Sequence, residues 1–122
     1  MNRHTTTFRL EDVKGRQPVI LIFAPSERSP AYEAQAGLLQ QERIAERGGA
    51  QVAHIFCDGD SYLNQEKLDR SSAERLRSEF EVGDDDFLIV MIGHDGTEKR
   101  RDDAPLQPAV ILERISDATR PE

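Results

Sequence analysis

The chain has 122 residues, 32% of them charged and 37% hydrophobic, with 23 acidic against 16 basic side chains and a net charge of −7. That length suits one domain burying roughly 65% of its unfolded surface, and the acidic balance repels phosphate backbones and anionic membranes, so neither nucleic acid nor a membrane is expected as a partner. A single cysteine, Cys57, excludes an intramolecular disulfide framework. No run reaches the ~18 apolar residues of a membrane helix and Met1 to Val19 holds nothing resembling a signal peptide, so a cytoplasmic domain is the expectation.

Residues 1–17 are polar and irregular in pattern, with Thr5 to Phe8 as a short edge strand. Val19 to Phe23 is a continuous apolar run, the habit of a strand buried on both faces. Ser29-Pro30 then marks a helix start, with Ser at the N-cap and Pro at the first helical position. Residues 31–47 continue it, rich in Ala, Leu, Gln, Glu and Arg. Ala31, Ala34, Leu38 and Ala45 form its inward face and Gly48-Gly49 its stop. Val52 to Cys57 is the second apolar strand, and Asp58-Gly59-Asp60 turns out of it. Ser71-Ser72-Ala73-Glu74 fits a capping box for a short helix with Leu76 and Phe80 on one face, closed by Val82-Gly83.

Phe87 to Ile92 is the third apolar run. Asp95-Gly96 favours a hairpin turn, and Thr97 to Arg101 is its charged partner, suited to a sheet edge. Lys99-Arg100-Arg101 is the one basic cluster, and Asp102-Asp103 beside it predicts self-paired charges on a solvated edge. Pro108 opens a last helix with Ile111, Ile115 and Ala118 at helical spacing and Leu112 beside them. The order is strand, helix, strand, helix, hairpin, helix. Right-handed crossovers make the first two strands parallel, and Ile20, Ile55 and Ile89 should share one pleated layer. The fold class is α/β, βαβαββα, a mixed central sheet flanked by helices in a single domain with its core over about residues 8–118.

That order resembles the thioredoxin core. Phe23-Ala24-Pro25-Ser26-Glu27-Arg28-Ser29-Pro30 is similar to the Phe-x-Pro-x-x-x-Thr-Pro-x-Cys segment of peroxiredoxins, with Ser29 in the place of Thr and Tyr32 in the place of the peroxidatic cysteine. A closer likeness joins Phe-Ala-Pro-Ser, Pro30 and Gln35 to the late Met91-Ile92-Gly93-His94-Asp95-Gly96 and Lys99. This combination resembles a thioredoxin-like, peroxiredoxin-related family of unknown function, found as small bacterial proteins and as domains of some vertebrate matrix proteins. The resemblance implies the fold and no established reaction. No Cys-x-x-Cys is present, and Asp84-Asp85-Asp86-Phe87 stands where redox relatives carry a cis proline before the third strand. A cis bond without proline costs about 3 kcal/mol, so this loop should be trans.

Open α/β sheets gather ligands where strands end and helices begin. Here that rim comprises Pro25 to Pro30, Asp58 to Asp60 and Asp84 to Asp86. Ser26, Arg28 and Ser29 at a helix N-terminus suit a small anion; the structural alternative is a cap at Ser29 and a local ion pair for Arg28. Tyr32 reads either as a contact residue of an exposed rim or as packing in the first turn. Cys57 at a strand end reads as an inert core thiol, with Asp58 and Asp60 disfavouring thiolate; the alternative is a thiol enzyme. The acidic turns lack calcium-loop spacing and read as solvated acids. His4, His54 and His94 lack metal-ligand spacing, with His54 a structural histidine and His94 exposed in a turn. Ser26, His94 and Asp95 assemble a triad only on paper, because the turn lies at the far end of the sheet. The expected function is a redox-inactive domain of unknown function that binds a protein partner or a small anion. No catalytic residue, metal or cofactor is assigned. The alternatives are a peroxiredoxin-like or other thiol oxidoreductase at Cys57, a cysteine-free enzyme at the Ser26–Arg28 rim, and a homo-oligomer subunit.

Overall fold

In a computed structural model describing residues 5–13, 15–41, 43 and 49–119, the three apolar runs lie side by side at the centre of one six-stranded sheet. Chain order is α1 (Leu10–Val13), β1 (Val19–Ala24), α2 (Pro30–Gln41), β2 (Gln51–Phe56), β3 (Ser61–Leu63), β4 (Glu66–Leu68), α3 (Arg70–Glu79), β5 (Leu88–Ile92), β6 (Glu98–Asp102) and α4 (Pro108–Thr119). The strands lie in the order β4-β3-β2-β1-β5-β6. β1 and β2 are parallel, as the crossover argument requires, and every other neighbouring pair is antiparallel. The class is mixed α/β.

All six residues of β1 are buried, because strands cover both its edges and helices both its faces. Ile20, Ile22, Val52, Ile89 and Met91 pack against Leu39 of α2 and Ile111 of α4. Leu21, Phe23, Ile55, Val90 and Ile92 pack on the opposite face against Ala73, Leu76 and Phe80 around α3 and against Phe8. Ile20, Ile55 and Ile89 therefore share the sheet as expected, all fully buried, with Ile55 pointing to the other face from the first two.

Several expectations are corrected. Thr5 to Phe8 is no strand: Thr6 alone bridges Leu68, and the segment is held by Phe8 in the core and by its N–H bond to Ser72 Oγ. Residues 61–68, which carry no recognisable pattern, form the hairpin β3–β4. Its two-residue turn places Asn64 at φ 56°, a left-handed conformation that asparagine tolerates. Asp69, not Ser71, caps α3, its carboxylate accepting from Ser72 N–H at 2.8 Å. Glu81 at φ 55°, rather than Gly83, supplies the left-handed stop. In α2 the buried positions are Gln35 and Leu39, and Ala34 faces solvent. The expected helical residue Ala45, the stop at Gly48, His4 and the side chains of Ile115 and Ala118 lie outside the described residues.

The β5–β6 hairpin follows the Asp-Gly signal. Gly96 N–H bonds Gly93 O, Gly93 N–H bonds Thr97 O, and Gly96 sits at φ 85°, so His94-Asp95-Gly96 is a three-residue loop with a left-handed final residue. On β6 the charges pair among themselves as expected: Lys99 with Asp95, Arg100 with Asp102, and Arg101 with Glu98.

Candidate functional site

Register decides which loops meet. Ala24 pairs with Phe56 and Phe23 pairs with Leu88, so the exits of β1 and β2 and the entry to β5 lie on one edge of the sheet. Cys57 N–H bonds Ala24 O at 3.2 Å and Asp58 N–H bonds Pro25 O at 2.9 Å, carrying the pairing into the loops. His94 follows Ile92, which pairs with Val19 at the opposite edge, and this separates it from Ser26.

The turn after β1 is built from its own serines. Ser26 Oγ accepts from Arg28 N–H, and Ser26 O accepts from Ser29 N–H. Ser29 O accepts the first helical bond, from Glu33 N–H, which places Ser29 at the cap position ahead of Pro30. Ser26, Glu27, Arg28, Phe56, Asp58, Asp60 and Tyr62 line a cleft of about 420 Å³. Three carboxylates and one guanidinium share this space, so its field favours cations over anions. Phe56 and Asp60 are also part of the wall of a neighbouring cleft of about 530 Å³, which holds Cys57, Lys67 and Arg77.

Tyr32 belongs to neither cleft. Its ring stands edge-on to Phe56 with centroids 4.7 Å apart, and its hydroxyl meets His54 Nδ1 at 2.9 Å. Partial burial, with Glu27 nearby, pushes the phenol up, and burial pushes the His54 imidazole below its usual value. Packing is thus the observed role of Tyr32, and His54 is a satisfied structural histidine. Ser26 and Arg28 line the first cleft, Ser29 caps α2, and Tyr32 packs apart from them.

Cys57 departs from expectation. The residue just past β2 leaves the core, and its thiol is exposed. Desolvation by its neighbours, then the nearby Asp84 carboxylate, push the thiol up; Arg77 offsets only part of this. Arg77 is itself held by Asp84 at 2.9 Å. The charged side chains that bear on the thiol's basicity are therefore Asp84 and Arg77, where the sequence pointed to Asp58 and Asp60. Nothing local marks Arg77 in the sequence; it reaches the rim because α3 packs beneath β2. The acidic turns are engaged locally: Asp60 with Lys67, Asp84 with Arg77, and Asp86 with Gly83 N–H. Among the described residues no group of three or more His, Cys, Asp or Glu is placed to hold a metal ion. None of the described helices is long and apolar enough to cross a membrane.

Fold and rim together define a small mixed α/β domain with a polar cleft at one end of its sheet and one exposed thiol. The chain belongs to the family described as Domain of unknown function (DUF4174), whose model matches residues 9–119. No curated protein matches it at a significant level.

Proposed function

We propose that this is a redox-silent, thioredoxin-like binding module that engages a protein partner at the rim formed by Ser26, Arg28, Asp58 and Asp60. The central order β2-β1-β5-β6, with β1 and β2 parallel and the last pair antiparallel, supports the thioredoxin-like reading, with β3–β4 as an added hairpin. One observation carries the redox silence. Where a thiol would start the helix after β1, the chain has Ser26, Ser29 and a Tyr32 already bonded to His54, and its one cysteine lies past the end of β2 beside Asp84, whose charge disfavours thiolate. A nucleophilic cysteine needs the reverse, a thiolate favoured by nearby positive charge. The carboxylates around Arg28 weigh toward a cationic protein segment over a small anion. The same lone cysteine suits a cytoplasmic setting.

The test pairs chemistry with binding. Cys57 should react with a disulfide reagent without unfolding, since it is exposed, but more slowly at pH 7 than a free cysteine. Wild type and Cys57→Ser should be equally inactive in peroxide consumption. Peroxide turnover lost in Cys57→Ser would overturn the reading in favour of a thiol peroxidase. In an NMR titration, a lysine- and arginine-rich peptide should shift Ser26, Arg28 and Asp58–Asp60 amides more than inorganic phosphate does. The opposite order would favour the anion site.

A further inference from the structure

Tyr32 and His54 meet across the joint between α2 and the sheet, outside the linings of the two rim clefts. Their rings lie edge-on with centroids 5.8 Å apart, and the polar contact between them spans two elements distant in sequence. Beside the pair runs a groove of about 680 Å³ floored by Ala36, Leu39 and Val52. Arg43 and Glu66, one charge of each sign, stand on its walls.

The groups around His54 offer its ring no dedicated counter-ion. β2 itself carries no other titratable residue. From β1, Ile22 is its register partner; from β3, Tyr62. Lys67 stands one strand further in the same row and is held by Asp60 at 3.3 Å. From the α2 side come Tyr32, with Glu27 acting on its phenol, and Arg43. The β3–β4 turn adds Glu66. Among the described residues none of the ion pairs includes His54.

Protonation does not break the Tyr32 contact. Nδ1 then donates and the phenol oxygen accepts. What changes is that a cation occupies a half-buried place without a partner, and the ring recovers water only by swinging into the groove. That movement removes the one side-chain hydrogen bond described between α2 and β2.

We infer that the Tyr32–His54 contact is a proton-operated latch: neutral His54 holds α2 against β2, and charged His54 releases that part of α2 and widens the groove. The depressed basicity of the buried imidazole agrees with this geometry.

NMR on the full chain tests it. The His54 ring should titrate below the ordinary imidazole range. Between pH 7.5 and 5.5 the protection factors of α2 amides should fall relative to those of β5, the direction linkage requires for an imidazole whose folded basicity lies below its unfolded one. His54→Gln keeps a polar contact without a titrating group and should flatten that ratio. Tyr32→Phe should lower α2 protection at pH 7.5 and leave β5 unchanged. A wild-type α2-to-β5 ratio that stays constant across this range overturns the proposal. So does a pH dependence that survives in His54→Gln, which assigns it to another group. If either variant fails to fold, the wild-type titration and ratio decide alone.

Discussion

Gln35 is fully buried in α2, and its amide behaves like a short piece of neighbouring strand. Nε2 donates to Leu106 O at 3.1 Å and Oε1 accepts from Leu106 N–H at 2.6 Å, tying the loop before α4 to a helix 71 residues earlier in the chain. Gln35→Leu preserves volume and strands both main-chain groups. It should cost about 2–6 kcal/mol, twice the penalty of one unsatisfied buried polar group. Urea denaturation should show this as a lower midpoint with an unchanged slope. A loss under about 0.5 kcal/mol would mean that water reaches Leu106. This contact was not legible in the sequence. A glutamine among alanines reads as surface, so the pattern puts Ala31, Ala34, Leu38 and Ala45 on the inward face, and the partner that makes a polar core position acceptable lies too far along the chain for any local pattern. Cys57 fails in the opposite sense. It ends an apolar run and reads as core, yet the strand stops at Phe56 and the next side chain is outside.

At the scale of elements, both ends of α3 show how tertiary contacts override motif reading. Ser71 and Glu74 have capping-box spacing, but the β3–β4 hairpin brings Asp69 beside Thr7, and Asp69 takes the cap. One carboxylate oxygen accepts from Ser72 N–H and the other from the Thr7 hydroxyl. These bonds, those from Ser72 and Thr7 foremost, lower its carboxyl from the ordinary 3.8 to about 2. The folded value lies below the unfolded one, so this stabilisation is complete above about pH 4 and lost as pH falls through about 2. Asp69→Ala should therefore cost about 1 kcal/mol at pH 7, and its melting temperature should converge on wild type near pH 2. Parallel curves down to that pH would mean the carboxylate is not the cap. At the other end, Val82 N–H bonds Arg77 O and Glu81 N–H bonds Ser78 O, a Schellman stop with Glu81 where glycine is usual. Glu81→Gly relieves the left-handed strain and should raise stability by about 0.5–1 kcal/mol, read as an increase in melting temperature. Gly83 looked like the stop because glycine is the common signal; its N–H instead closes a turn onto Asp86 at 2.7 Å. The three-residue strands β3 and β4 were invisible for a simpler reason, being too short to display a period of two.

For the molecule as a whole, the legible part was the long apolar runs and the rules that connect them. Val19–Phe23, Val52–Cys57 and Phe87–Ile92 had to be central strands, and a right-handed crossover plus a hairpin then left one edge for the β1, β2 and β5 loops. The rim at Ser26, Arg28, Asp58 and Asp84 follows from that topology alone, whereas the chemistry on it depends on side chains such as Arg77 delivered by packing. The architecture also makes a testable statement about cooperativity. Ile20 packs toward α2 and α4, and Ile55 packs toward α3, on opposite faces of a sheet only one residue thick. They lie three register positions apart on adjacent strands, since Ile20 pairs with Val52 and Phe23 with Ile55, a separation of roughly 10 Å. Ile20→Val and Ile55→Val should each cost about 1 kcal/mol. The double variant should cost the sum within about 0.5 kcal/mol, because the sites share no partner. Far-ultraviolet circular dichroism and Cys57 accessibility, reporting backbone and rim, should give one coincident unfolding transition in all three proteins. Two separated transitions, or Ile20→Val melting one probe before the other, would mean that the faces unfold independently. The shared backbone of β1, buried along its whole length and hydrogen-bonded on both sides, is the physical reason they cannot.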